Sequence, residues 1–257
     1  MTFSVSRRTL TFGITLALGA IAVTGCSAHA PGDIGRLQQI LETCPDGQQI
    51  NSYNAVDVSG TSDDPLIMRE HLAYIETKIE RVAVCGGGHV TVVAFGPNSV
   101  TAPIYETDIA VPGSTDLAKL RRVPGIVNDA MTEVEKNYTP AIALLPEGGT
   151  DVIGLFRLFD ESKTLRADMV LEAAALTDGL NNQGVVLDHP LSADEATALA
   201  DQVVVPNLAG ASVAVVGIGR VVGDALPSDF IEGMKFFYTR LCQNTQAAQC
   251  LVVTDGR

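Results

Sequence analysis

The chain has 257 residues, with 17 basic and 30 acidic side chains, a net charge of −13, and 5% aromatic residues. Because an acidic chain without a basic stripe repels nucleic acid and anionic lipid headgroups, we do not expect it to bind either one. A chain of this length can bury one substantial core.

The N-terminal segment has the pattern of an export signal. Arg7 and Arg8 precede an apolar run at residues 10–23, shorter than the roughly 20 residues that span a bilayer. The run leads into Val23-Thr24-Gly25-Cys26, which resembles a bacterial lipobox. This implies cleavage before Cys26 and a diacylglycerol on its sulfur, which anchors the exported protein to the outer face of the cell membrane. An ordinary signal peptide with a chance cysteine is the alternative, and both the general and the twin-arginine export routes stay open.

The chain divides into three parts. Residues 1–25 are the lipoprotein signal peptide, and residues 26–47 are a lipid-anchored tether with a short helix. Residues 48–257 form one domain, because no repeat or low-complexity block divides them.

The remaining cysteines are even in number, which favours disulfides in an exported chain. Three pairings are possible, and we favour Cys44 with Cys85 and Cys242 with Cys250. The first two each precede a predicted strand, and the starts of neighbouring parallel strands are adjacent. Cys242 ends a predicted helix and Cys250 opens the next strand. Zinc is the alternative, but the chain has no Cys-x-x-Cys pair.

Apolar periodicity and turn signals predict alternating helices and strands. Asp63-Asp64-Pro65 marks a helix start, with a carboxylate N-cap and proline at the first helical position. Gly86-Gly87-Gly88 is interpreted as a break, and Pro124-Gly125 as a separator of two helices. Helices are predicted at 34–43, 65–84, 117–122, 126–138, 151–162, 193–200 and 229–241. Strands are predicted at 49–56, 89–95, 104–111, 169–176, 211–218 and 250–253.

This order of elements predicts an α/β fold with an open, doubly wound, mostly parallel sheet. The short turn Gly96-Pro97-Asn98 can only join antiparallel neighbours, so one edge strand is expected to be antiparallel. In such a sheet, ligands bind beyond the carboxyl ends of the strands, where the strand order reverses.

Three separated fragments carry the chemistry of that edge. They are Asp57-Val58-Ser59-Gly60-Thr61, Gly148-Gly149-Thr150-Asp151 and Leu176-Thr177-Asp178-Gly179. Each has the pattern of a strand end or of a loop that opens a helix. Together they offer hydroxyls and carboxylates, which are ligands for a hard divalent cation. The sequence therefore predicts a metal-dependent binding surface.

In this order the fragments resemble the metal-ion-dependent adhesion site of von Willebrand factor A domains. That family has Asp-x-Ser-x-Ser after the first strand, a threonine in a later Gly-rich loop, and Asp-Gly after the fourth strand. The resemblance covers roughly residues 48–255. It implies that Mg²⁺ or Mn²⁺ is held by Asp57, Ser59, Thr61, Thr150 and Asp178, with an acidic group of a partner completing the shell. Thr61 replaces the second serine and keeps its hydroxyl on a stiffer, β-branched side chain.

Other interpretations compete with this one. The first fragment also resembles the Asp-x-Asp-Gly-Thr of haloacid-dehalogenase phosphatases, but Ser59 stands where that family has its general acid. The glycines of residues 217–223 imitate a dinucleotide loop without the βαβ context that such a loop needs. In a metal-free domain, the same hydroxyls and carboxylates would only cap helices and turns.

We therefore expect an extracytoplasmic, lipid-anchored protein without catalytic residues that binds a protein partner or ligand through a divalent cation. The alternatives are a metal-independent interaction scaffold of the cell envelope and a metal-assisted, phosphatase-like hydrolase.

Overall fold

A computed structural model describes residues 33–59, 64–146 and 148–255, so the predicted export signal and Cys26 lie outside the described residues. A short 3-10 turn, Pro97–Ser99, joins the second strand to the third. The described helices are α1 (Asp33–Leu41), α2 (Pro65–Val84), α3 (Asp116–Leu120), α4 (Val123–Ile142), α5 (Leu155–Leu165), α6 (Ala193–Ala200) and α7 (Ser228–Asn244). The described strands are β1 (Ile50–Asp57), β2 (Gly87–Phe95), β3 (Thr101–Ala110), β4 (Val170–Leu176), β5 (Ser212–Val216) and β6 (Gln249–Val253).

The described strands form one sheet in the order β3-β2-β1-β4-β5-β6. β3 runs antiparallel to β2, and every other pair of neighbours is parallel. The predicted α/β fold, with a mostly parallel sheet and one antiparallel edge strand, is confirmed. Because the chain winds outward from β1 to β3 and then from β4 to β6, the strand order reverses between β1 and β4.

Helices cover both faces of this sheet. α2 and α4 pack against β1, β2 and β3 on one face, while α5 packs against β1 and β4 on the other. α6 and α7 contribute to the same core as α5. Alternate residues of a strand face opposite sides, so Val56 of β1 joins the α2 core and Ala55 joins the α5 core. All of β1 is buried, as expected of a central parallel strand.

Local sequence signals predicted the start of one helix correctly and the start of another incorrectly. α2 begins as predicted, because the Asp64 carboxylate accepts the N–H of Leu66 at 2.6 Å and Pro65 takes the first helical position. α4 begins at Val123, so Pro124 lies in its first turn and is not a separator. A proline is tolerated there because the first N–H groups of a helix have no partner within it.

Gly87 and Gly88 belong to β2, where the sequence analysis predicted a break. A Cβ on Gly88 would lie 2.1 Å from the carbonyl oxygen of Ile50, and one on Gly87 would lie 2.3 Å from that of Ile109. The strands on both sides therefore approach too closely for any side chain.

The structure contains both favoured disulfides. Cys44 pairs with Cys85, and Cys242 pairs with Cys250, with Cα–Cα distances of 5.4 and 5.9 Å. Disulfides form and persist in oxidising compartments, which fits a location outside the cytoplasm. Within the three described ranges, no helix is both long enough and apolar enough to cross a membrane.

Candidate metal site at the carboxyl edge of the sheet

Two of the predicted site residues meet where the strand order reverses. Asp57 is the last residue of β1, and Asp178 follows β4 by two residues. β1 and β4 are parallel neighbours, so the loops that leave them start side by side. Both side chains are almost completely buried, with exposures of 1% and 2%.

Hydrogen bonds hold the Asp57 carboxylate in place. Its Oδ2 accepts the hydroxyl of Thr177 at 2.6 Å, and its Oδ1 accepts the N–H of Ser59 at 2.9 Å. The Thr177 hydroxyl also accepts the N–H of Gly179 at 3.1 Å. Thr177 therefore ties the end of β1 to the turn after β4. The sequence analysis missed this role, although a hydroxyl residue between an apolar run and Asp-Gly was a usable signal.

The local electrostatics favour a cation. Burial raises the pKa of Asp57 to about 7, and the negative charge of Asp178 adds to the rise. Burial also raises the pKa of Tyr238 well above its ordinary value, and Asp178 and Asp57 add to that rise too. Two neighbouring carboxylates out of water make an electronegative pocket that a metal ion would neutralise.

Ser59 and Thr150 line one cavity of about 440 Å³, so the structure brings these two predicted ligands together. Thr150 is buried, and its N–H donates to Oδ1 of Asn182 at 3.0 Å. The carbonyl oxygen of Thr150 accepts the N–H of Asn182 at 3.3 Å. The loop after β4 therefore fixes the backbone that carries the Thr150 hydroxyl. Thr61 lies outside the described residues, and its place in the ligand set stays a prediction.

A second asparagine closes the same loop. Oδ1 of Asn181 accepts the N–H of Val152 at 2.9 Å, and its Nδ2 donates to the carbonyl oxygen of Gln183 at 2.8 Å. The N–H of Leu187 donates to the backbone oxygen of Asn181 at 2.8 Å. The sequence analysis passed over both asparagines, which directly follow the Asp-Gly turn and one leucine.

Asp151 anchors the Gly-rich loop from the other side. Its carboxylate accepts the hydroxyl of Ser99 at 2.6 Å and the N–H of Gly154 at 2.8 Å. This turn explains why α5 begins at Leu155, whereas the sequence predicted a helix from residue 151.

Asn98 and Ser99 both have positive φ values, 54° and 57°, which are unusual for residues other than glycine. Strained backbone of this kind is often found beside functional sites.

The donor set fits a hard divalent cation. Carboxylates and hydroxyls are oxygen ligands of the kind that Mg²⁺ takes, and the two buried acids supply the charge. In the part of the chain that the structure describes, no group of three or more histidine, cysteine and acidic residues is placed to hold a metal. A cation at this site would therefore depend on the hydroxyls of Ser59 and Thr150 as well as on Asp57 and Asp178.

A larger cavity, of about 740 Å³, runs along α2 on the face of the sheet that α2 covers. Leu176, Val216 and Tyr74 line it, together with the buried His71. Its lining includes neither Ser59 nor Thr150. We therefore assign the candidate site to the smaller cavity, which Ser59 and Thr150 line and where the N–H of Ser59 donates to the Asp57 carboxylate.

No protein-family model matches the chain, and no curated protein matches it. A similar solved structure is that of proximal thread matrix protein 1 from the mussel byssus, at 16% identity and a TM-score of 0.38. The match covers 81% of this chain and 45% of that chain, so this chain spans less than half of the other. The class of the protein is thus defined by its own fold, a Rossmann-like α/β domain with buried carboxylates at its switch point.

Proposed function

We propose that this protein is an exported, lipid-anchored A-domain that binds a protein partner or ligand through Mg²⁺ or Mn²⁺. One observation carries the proposal: the buried carboxylates of Asp57 and Asp178 accept the N–H groups of Ser59 and Leu180, and both of these residues line the same cavity as Thr150. Two like charges kept out of water are unfavourable by themselves, and a bound cation removes that cost.

Each residue has a distinct role in this proposal. Ser59, Thr61 and Thr150 supply oxygen ligands to the cation. Asp57 and Asp178 act mainly through bound water and hold the surrounding loops in position. Because few protein charges would contact a bound cation directly, the cation would supply a Lewis-acidic centre for an acidic group of the partner. The role is binding without catalysis.

Two features support the proposed location. The disulfides favour an oxidising compartment, and Cys26 stands at the end of an apolar export signal. Lipid on Cys26 would hold the domain at the membrane, with a short tether before α1. Replacement by Cys26→Ser should move the protein from the membrane fraction to the soluble fraction. Retention in the membrane fraction would count against the lipid anchor.

The test of the cation site is calorimetric. The full chain is produced with its export signal, so that its disulfides form, and is purified in detergent. We expect one equivalent of Mg²⁺ or Mn²⁺ to bind. Binding should be lost in Asp57→Ala and Thr150→Ala and partly retained in Thr150→Ser, which keeps the hydroxyl.

Glu133→Gln is the matched control, because it removes one exposed carboxylate on α4 that forms an ion pair with Lys136. It should leave the affinity unchanged. Absence of binding to the unaltered chain would favour the metal-independent scaffold. Chelator-sensitive turnover of a generic phosphoester would favour the hydrolase instead.

A further inference from the structure

The cavity shared by Ser59 and Thr150 also has an aliphatic wall. Leu180, Val186 and Leu187 line it along with the two hydroxyl residues. Leu187 is buried, whereas Val186 is 48% exposed at the surface. The cavity therefore offers hydroxyl groups and apolar surface within one enclosure.

The polar side chains in this wall are already engaged. Asn181 uses its carbonyl oxygen for the N–H of Val152 and its amide for the carbonyl oxygen of Gln183. Asn182 accepts the N–H of Thr150. A ligand that enters from the hydroxyl residues thus meets mainly aliphatic surface.

The charge at the mouth of the cavity orients a ligand. Asp188 also lines the cavity, and its side chain is 71% exposed and contacts Nδ1 of His189 at 2.7 Å. A ligand carboxylate is disfavoured beside Asp188 and favoured beside a cation near Ser59 and Thr150. The acidic group of a ligand would therefore face the hydroxyls, and an apolar group would face Val186 and Leu187.

The walls are held in place before any ligand binds. The bonds from Asn181 and Asn182 join the loop after β4 to the Gly-rich loop. A cavity that is already formed binds without the cost of ordering its loops. Its volume of about 440 Å³ is ample for one aliphatic side chain and falls within the range of ligand pockets, roughly 300–1,000 Å³.

From these observations we infer that this cavity is a specificity pocket for an aliphatic side chain that stands next to the metal-binding acidic residue of a partner polypeptide. The inference rests on the proposed cation site, which places the acidic residue. The recognised unit is thus an acidic residue with a leucine-like neighbour, rather than an isolated carboxylate.

The test compares short peptides on the full chain, purified in detergent with its disulfides intact and saturated with Mg²⁺. The probes are trifluoroacetylated Gly-Asp-Leu-Gly and Gly-Leu-Asp-Gly amides, and the same two peptides with serine in place of leucine. Their dissociation constants are read from fluorine NMR titrations, which suit weak ligands. We expect the better leucine peptide to bind at least about tenfold more tightly than its serine counterpart, because it buries an aliphatic side chain.

Val186→Ser makes the apolar wall polar at an exposed position and should fold normally. It should abolish most of the preference for leucine and leave the Mg²⁺ affinity measured by calorimetry unchanged. Val204→Ser is the control, because Val204 is exposed and does not line this cavity, so the substitution should change neither value.

The outcomes separate the two proposals. Equal affinities for leucine and serine peptides, with Mg²⁺ bound, would overturn the specificity pocket and leave the cation site standing. A leucine preference that survives in Val186→Ser would also overturn the pocket. A chain that binds no Mg²⁺ would overturn the proposed function and this inference together.

Discussion

The hydroxyl of Thr177 donates to Oδ2 of Asp57 across 2.6 Å and so joins the ends of two neighbouring strands. Both residues are almost fully buried, and the same hydroxyl accepts the N–H of Gly179. The Thr177 side chain therefore holds both the acid at the end of β1 and the turn that carries Asp178. This contact gives the paired carboxylates a fixed geometry before any ligand binds.

Loss of this hydroxyl should destabilise the fold. Thr177→Val keeps the shape of the side chain, but it leaves the buried oxygen of Asp57 and the N–H of Gly179 without their partner. We expect the free energy of unfolding to fall by about 2 kcal/mol. Thr177→Ser keeps the hydroxyl and should cost only about 1 kcal/mol for the lost methyl group. Urea unfolding measures both, and equal losses would show that the hydrogen bond contributes little.

Asp57 should make the metal-free protein less stable as the pH rises. Its pKa is raised to about 7 from the ordinary 3.8, so the folded state keeps a proton that the unfolded chain releases. The stabilising contribution is complete below pH 3.8 and is lost as the pH rises to about 7. With chelator present, Asp57→Asn should therefore gain stability relative to the unaltered chain between pH 4 and pH 7. A constant difference across that window would contradict the raised pKa.

His71 should produce the opposite trend. Burial lowers its pKa to about 4 from the ordinary 6.5, so protonation favours the unfolded chain. Its contribution is complete above pH 6.5 and is lost as the pH falls to about 4. His71→Gln does not titrate and can still bond the Tyr138 hydroxyl, which lies 3.3 Å from Nδ1 of His71. Its unfolding free energy should fall less steeply from pH 6.5 to pH 4, as followed by urea denaturation in an Asp57→Asn background.

Gly88 should tolerate no side chain. A Cβ there would meet the carbonyl oxygen of Ile50 at 2.1 Å, and neither strand of this central pair can move without disturbing the sheet. We expect Gly88→Ala to lower the unfolding free energy by about 3 kcal/mol or more.

Gly47→Ala is the control for that substitution, because Gly47 also has a positive φ but no atom within 4 Å of the added Cβ. It should cost only about 1 kcal/mol, the penalty of the left-handed backbone itself. Similar losses in both variants would mean that backbone conformation, rather than close approach, makes glycine necessary at residue 88.

Local patterns in the sequence determined much of the fold. Asp64 and Pro65 mark the start of α2 because capping depends on neighbouring residues alone. The short turn after β2 forces an antiparallel partner, and the long apolar run that ends at Leu176 identifies a strand buried on both faces. The acids Asp57 and Asp178 were also evident, because each lies within two residues of the end of such a strand.

Only the tertiary structure decided which groups form hydrogen bonds with the residues of the candidate site. Thr177 bonds Asp57 because β1 and β4 pair in one particular register. Asn182 bonds Thr150 because the loop after β4 meets the Gly-rich loop at the carboxyl edge of the sheet. The place of Gly88 within β2 likewise follows from the nearness of Ile50. A cap or a turn depends on residues a few positions apart, so the sequence reveals it. A contact between distant loops depends on the packing of every element between them, so only the folded chain reveals it.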